Sequence, residues 1–157
     1  MQRHHCATVI GFALVALSSA PLRAQGAAGT WIAEFDRGMR NENGVVTSLG
    51  KVRARLVLEP RGDSLVGMLT VFEPAENAPP PRPIRGLMTK GALRLEAAPV
   101  DAVIRENDEE RHVPMKTVYD LTVSADALTG TQHSASLDGA IDGQPRPFSA
   151  TREKKKP

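Results

Sequence analysis

Val52-Arg53-Ala54-Arg55-Leu56-Val57-Leu58-Glu59 alternates by side-chain character, and Pro60-Arg61-Gly62-Asp63 interrupts it before Leu65, Gly67, Leu69 and Val71 resume the alternation. Successive side chains of a strand point to opposite faces. Val52, Ala54, Leu56 and Leu58 therefore share one dry face, while Arg53, Arg55 and Glu59 point to water. A dry face opposite a wet one is the signature of an antiparallel sheet covered on one side. Proline and glycine preset the backbone of a tight turn, and an aspartate can bond its own main chain there. Residues 52–71 thus read as a β-hairpin. The tripeptide Arg61-Gly62-Asp63, known as an integrin-recognition sequence, is explained by that turn chemistry.

The same pattern runs outward in both directions. Upstream, Trp31, Ala33 and Phe35 share a face, and Glu34 and Asp36 lie on the other. Downstream, residues 84–97 form a second hairpin turning at Lys90-Gly91, with Leu93 and Leu95 together. Residues 117–133 form a third, with Tyr119, Leu121 and Val123 on one face and a turn over Ser124–Ala127. Phe148–Arg152 reads as the last strand, reached through Asp138-Gly139 and Asp142-Gly143. Val100–Arg105 is a weaker strand, and Glu106–Arg111 is a charged, solvated connection. Pro79-Pro80-Pro81 lies in a stretch, residues 74–83, that cannot donate ladder hydrogen bonds and reads as extended and exposed. No window of the body shows a helical stripe. The expected fold is all-β: about 7–8 antiparallel strands in an up-and-down meander, closed as a small barrel, with a β-sandwich as the alternative.

Two hairpins share a pattern: Asp63-Ser64-Leu65-Val66-Gly67 and Asp126-Ala127-Leu128-Thr129-Gly130 are both Asp-x-Leu-x-Gly. Aspartate closes the turn, leucine is the first inward side chain, and glycine permits a bend or a close backbone approach. Small inward residues such as Ala33, Ala54, Gly67 and Gly130 are compatible with an internal cavity and equally with tight curvature.

The 157 residues carry 41% hydrophobic and 24% charged side chains, a globular balance for one domain. Residues 1–24 read as a secretory signal peptide: a short basic start at Arg3, an uncharged apolar run from Cys6 to Leu17, and the small residue Ala24 at the cut. That run is shorter than the ~20 residues a spanning helix needs, so no transmembrane segment is expected after cleavage. Residues 25–152 form the expected domain, and 153–157 a disordered basic tail. Cleavage removes Arg3 and Arg23, so 20 basic residues fall to 18 against 18 acidic ones. The precursor's basic pI is then no sign of nucleic-acid binding, and the aromatics, which read as inward, offer no exposed platform for bases. Cleavage also removes Cys6, the one cysteine, so the exported fold has neither disulfide nor thiolate chemistry.

Gly29-Thr30-Trp31 at the first strand and Arg152 at the last resemble the calycin group of lipocalins, fatty-acid-binding proteins and avidins. The resemblance implies an up-and-down barrel in which Trp31 and Arg152 form a closure pair at one end, the cation over the ring. It further implies a ligand site at the other end. The chain is also similar to small exported bacterial proteins with a tryptophan strand followed by Asp-x-Leu-x-Gly hairpins, a likeness that carries no function.

No catalytic residue is assigned. Ser64, Ser124, Ser134, Ser136 and Ser149 lie in no nucleophile motif. His112 beside Asp108, Glu109 and Glu110 matches no zinc spacing, and His133 reads as an edge residue, so neither metal nor cofactor is expected. The expected function is non-enzymatic: an exported protein of the periplasm or medium that binds a small apolar ligand. The interior residues expected to line that site are Phe35, Leu56, Leu58, Leu69, Leu95, Tyr119 and Leu121. The alternative is an interaction module of the cell envelope, with residues 74–83, Glu106–Arg111 and the lysine tail as contact surfaces for a protein partner.

Overall fold

In the computed structural model, residues 26–36, 39–42, 45–76, 78–106 and 109–154 are described. The segment read as a signal peptide and Lys155–Pro157 of the tail lie outside them. Ten strands follow in chain order: β1 (Gly29–Asp36), β2 (Met39–Glu42), β3 (Val45–Ser48), β4 (Lys51–Arg61), β5 (Ser64–Glu73), β6 (Arg82–Thr89), β7 (Ala92–Glu106), β8 (Glu109–Val123), β9 (Ala127–Ser136) and β10 (Arg146–Arg152). Eight of them form a closed antiparallel barrel in the order β1-β10-β9-β8-β7-β6-β5-β4, and β2 and β3 pair with each other alone. Closure leaves the barrel strands no open edge over their paired length, which removes a template for aggregation. Among the described residues no helix is long and apolar enough to cross a membrane.

Closure is made by the two chain ends. β1 pairs with β4 on one side and with β10 on the other, where Trp31 faces Arg152 and Phe35 faces Phe148. The hairpins expected at residues 52–71, 84–97 and 117–133 correspond to β4–β5, β6–β7 and β8–β9. The β2–β3 hairpin was not expected from the residue pattern. Val100–Arg105, expected as a weaker strand, is the continuation of β7, and β8 extends to pair with it from Val100↔Met115 to Glu106↔Glu109, well past the barrel wall. Glu109–Arg111, expected in a loop, belong to β8 and are exposed. A register shift between Ala97 and Val100 marks where this arm leaves the barrel.

The interior is stratified along the barrel axis. At the closed end Trp31, Leu58, Leu65, Leu93 and Leu128 are fully buried in one apolar cluster. Trp31 is 0% exposed, its Nε1–H donates to the Ala27 carbonyl at 3.0 Å, and the Arg152 guanidinium lies 4.0 Å from its ring centre. Arg152 also donates to the carbonyls of Gly26, Ala28 and Ala125, so one side chain ties the segment before β1 to the β8–β9 turn. Cation and ring attract through the ring quadrupole, and the three carbonyls satisfy the guanidinium as it leaves water.

The two Asp-x-Leu-x-Gly hairpins behave alike. Leu65 and Leu128 are both 0% exposed. A Cβ on Gly67 would strike the backbone of Val57, and one on Gly130 would strike that of Asp120. Both glycines thus allow a neighbouring strand to pass closely across them and mark curvature, and Gly130, expected to point inward, is exposed.

The chain remains anchored just beyond Arg152. The Glu153 amide donates to the Thr30 carbonyl at 2.8 Å, and its carboxylate meets Arg55 at 3.0 Å. Glu153, grouped with the tail by composition, is therefore held against the barrel wall. Phe72 departs from the inward reading of the aromatics: it is exposed on the outer face with Arg53 over its ring. The even face of β5 that carries Met68 and Phe72 is the wet face of that strand.

Candidate functional site: a polar pocket at the open end of the barrel

Opposite the tryptophan floor, the inward side chains change character. Arg82 opens β6, and strand periodicity puts it on the face that continues with Ile84, Gly86 and Met88. Arg146 opens β10, on the face that continues with Phe148, Ala150 and Arg152. Register brings these positions to one level: Leu69 is opposite Arg82, Thr117 opposite Ser134, and Gln132 opposite Arg146. The result is a ring of polar side chains on top of an apolar core.

This ring surrounds an open pocket of about 150 Å³. Phe35, Val52, Leu69 and Val71 form its apolar wall, and Arg82, Thr117, Tyr119, Gln132, Ser134 and Arg146 its polar one. Pro74, Ala78 and Pro79 from the β5–β6 connection close one side. The proline stretch is thus part of the pocket wall as well as a surface loop.

Arg82 is fixed from two directions. Its Nε and Nη2 donate to the Ala98 carbonyl at 3.3 and 2.7 Å, and its Nη1 to Thr117 Oγ1 at 3.4 Å. The Ala98 acceptor lies in the register shift of β7, where no ladder pair is formed. Burial lowers the pKa of the Arg82 guanidinium from its ordinary value, and the charge interaction with Tyr119 works against that; an arginine nevertheless stays protonated in a protein.

Tyr119 is 2% exposed and packs edge-on against Phe148, with ring centres 5.0 Å apart; Phe148 in turn stacks on Phe35 at 5.5 Å. Burial pushes its phenol pKa up to about 12, and the positive charges of Arg82 and Arg146 only partly oppose this. The hydroxyl is therefore a neutral donor at any physiological pH. Gln132 is buried and donates its Nε2–H to the Asp36 carbonyl at 3.1 Å, tying β9 to the end of β1. Thr117 Oγ1 and Ser134 Oγ lie 2.9 Å apart. Two guanidiniums thus face the pocket against one exposed carboxylate at its rim, that of Asp36.

Of the seven residues expected to line a ligand site, Phe35, Leu69 and Tyr119 border this pocket. Leu56, Leu58, Leu95 and Leu121 lie in the packed cluster beneath it and do not. Arg82, Arg146, Thr117, Gln132 and Ser134 also line it and were not expected there. A signal for the two arginines was present, since each sits in phase with the apolar face of its strand. His112 is exposed on the β7–β8 arm. His133 Nε2 is 2.7 Å from Asp142 Oδ1 on the outer surface, on the opposite side of β9 from Gln132 and Ser134. Among the described residues no group of three or more His, Cys, Asp or Glu side chains is placed to hold a metal ion.

A scan against protein-family models and a search of curated proteins each return no match. The closed eight-stranded barrel is compatible with the calycin resemblance at the level of architecture.

Proposed function

We propose that the protein is an exported, non-enzymatic binder that takes a small anionic molecule with an apolar body into the open end of its barrel. The observation that carries this reading is the pair Arg82 and Arg146 converging with the neutral phenol of Tyr119 above the wall of Phe35, Val52, Leu69 and Val71. A half-buried cation is costly unless something satisfies it. Arg82 has protein partners, whereas among the described residues Arg146 has no hydrogen-bond partner, and an acidic ligand would supply one. The apolar ligand expected from sequence is thereby narrowed to an amphipathic acid, with its anionic head at the arginines and its body against the aromatic wall.

Size limits the ligand. An empty apolar cavity of about 150 Å³ holds a single benzene-sized ring. The pocket therefore suits one ring or a short branched chain, or the head of a longer molecule whose tail passes out beside Pro79. The packed floor beneath excludes a chain threaded through the barrel axis.

Native mass spectrometry of protein purified gently from the exported fraction tests this directly. The expected result is a stoichiometric adduct that is acidic when released, and whose binding is lost in an R82M/R146M double variant. A bare mass, together with no detectable binding of benzoate by calorimetry, would refute the reading.

A further inference from the structure

Resting on that reading, we propose that Ser134 is a specificity-determining residue of the pocket, held as a hydrogen-bond donor by Thr117, which acts as its positioning residue. A serine hydroxyl can donate or accept, because its proton rotates to suit its partners. Here the neighbours bias that choice, because one lone pair of Ser134 is taken by Thr117 and its proton is left for the pocket.

The chain of bonds starts at Arg82. A guanidinium carries donors and no acceptor, so the hydrogen bond from Arg82 Nη1 to Thr117 Oγ1 has a single direction. At 3.4 Å that bond is long. The adjacent positive charge nevertheless orients the Thr117 hydroxyl the same way, lone pair toward the cation and proton away. Thr117 is 6% exposed, and among the described residues the acceptor within reach of its proton is Ser134 Oγ, 2.9 Å away on the neighbouring strand. Thr117 therefore donates to Ser134, and Ser134 must turn its own proton elsewhere. Its side chain lines the pocket.

The pocket then presents the Ser134 and Tyr119 hydroxyls and the Arg146 guanidinium as donors. Gln132, with its Nε2–H engaged by Asp36, contributes the Oε1 acceptor. A deprotonated carboxylate accepts from several donors at once. A carboxamide of the same shape exchanges one accepting oxygen for an N–H₂; Gln132 Oε1 can accept from it, but the donors at Ser134, Tyr119 and Arg146 are left with one acceptor fewer. Discrimination between these isosteres is thus built into the relay Arg82–Thr117–Ser134, beyond the net charge of the arginines. Rejection of an analogue that mismatches buried polar groups is typically stronger than rejection by apolar shape.

The test compares benzoate with benzamide by calorimetry on the full chain, in wild type and in the variants T117V, T117S and S134A. T117V is nearly isosteric and removes the proton that orients Ser134, and T117S restores it. The expected result is a wild-type preference for benzoate that narrows roughly tenfold, the factor that about 1.4 kcal/mol represents, in both T117V and S134A, and that T117S retains. Unaltered melting and an unaltered Tyr119 titration in the variants would show that the pocket is intact. Benzoate binding with the same preference in all four proteins would overturn the relay and leave the anion site standing. Absence of benzoate binding to wild type would overturn both.

Discussion

Replacing Trp31 with alanine should be the most damaging single change in the barrel. The side chain is 0% exposed, donates its indole N–H to Ala27, and has the Arg152 guanidinium 4.0 Å above its ring. Deleting a buried tryptophan typically costs about 3–5 kcal/mol in lost transfer energy and residual cavity. Three features place this site at the upper end. The Ala27 carbonyl loses its donor, Arg152 loses its stacking partner, and the cavity opens between β1, β4 and β10, the strands that close the barrel. A domain is stable by about 5–15 kcal/mol, so the loss is a large fraction of the whole. For a chain of this size each kilocalorie moves the melting temperature by about 3–5 °C, so a loss of about 5 kcal/mol gives a fall of about 15–25 °C. Far-ultraviolet circular dichroism is the suitable assay, because Trp31 is the only tryptophan and its fluorescence disappears with it. W31F separates the contributions: it keeps most of the volume and part of the cation–π contact but not the N–H, and should recover more than half of the loss. A fall of less than about 3 °C in W31A, under one kilocalorie on that scale, would refute the closure argument.

Alkaline stability should report on Tyr119, the only tyrosine. Its pKa is raised to about 12 by burial, while the unfolded phenol titrates near 10. The folded state therefore holds its proton longer than the unfolded state. The associated stability is intact below pH ~10 and is lost as pH rises toward ~12, by about 3 kcal/mol in all at about 1.4 kcal/mol per unit. Tyrosinate absorbance checks it, and a midpoint near 10 in the folded protein would contradict the burial. G67A and G130A should each destabilise by about 1–3 kcal/mol, the range for forcing atoms into a packed site, because each Cβ meets the backbone of the adjacent strand; chemical denaturation measures this, and G91A, whose Cβ would meet nothing within 4 Å, separates that crowding from backbone strain at positive φ.

Much of the fold was legible because strand formation here follows a local rule. Alternation in β4, β5 and β8 places Val52, Ala54, Leu56, Leu58, Leu65, Leu69, Tyr119 and Leu121 inward without reference to any other strand. The turns at Gly62, Gly91 and Ser124 follow from equally local chemistry. The β7–β8 arm was less legible. Its outer half is paired but mostly exposed, with Val113 buried and Ala102, Ile104 and Met115 half-buried, so only a weak hydrophobic period marks residues 100–115. The Asp-x-Leu-x-Gly glycines could be recognised as special, but room and crowding look the same along a single chain. The positions of the Val57 and Asp120 carbonyls, set by neighbouring strands, distinguish them.

The pocket shows the same division more sharply. Composition and alternation determined an antiparallel meander around an apolar interior with one tryptophan and no cysteine in residues 25–157, and the pairing of β1 with both β4 and β10 decided for a barrel over a sandwich. Composition and alternation did not determine that Arg82, Thr117, Gln132, Ser134 and Arg146 lie at one level of that barrel. These residues come from β6, β8, β9 and β10, and only the register between strands sets how far along the axis each one sits. Which end of the barrel is packed by leucines and which is lined by guanidiniums and hydroxyls is a property of staggered strands in a closed sheet. Side-chain facing is inherited from the nearest neighbours in sequence, whereas side-chain height is inherited from hydrogen bonds to residues on other strands, distant along the chain.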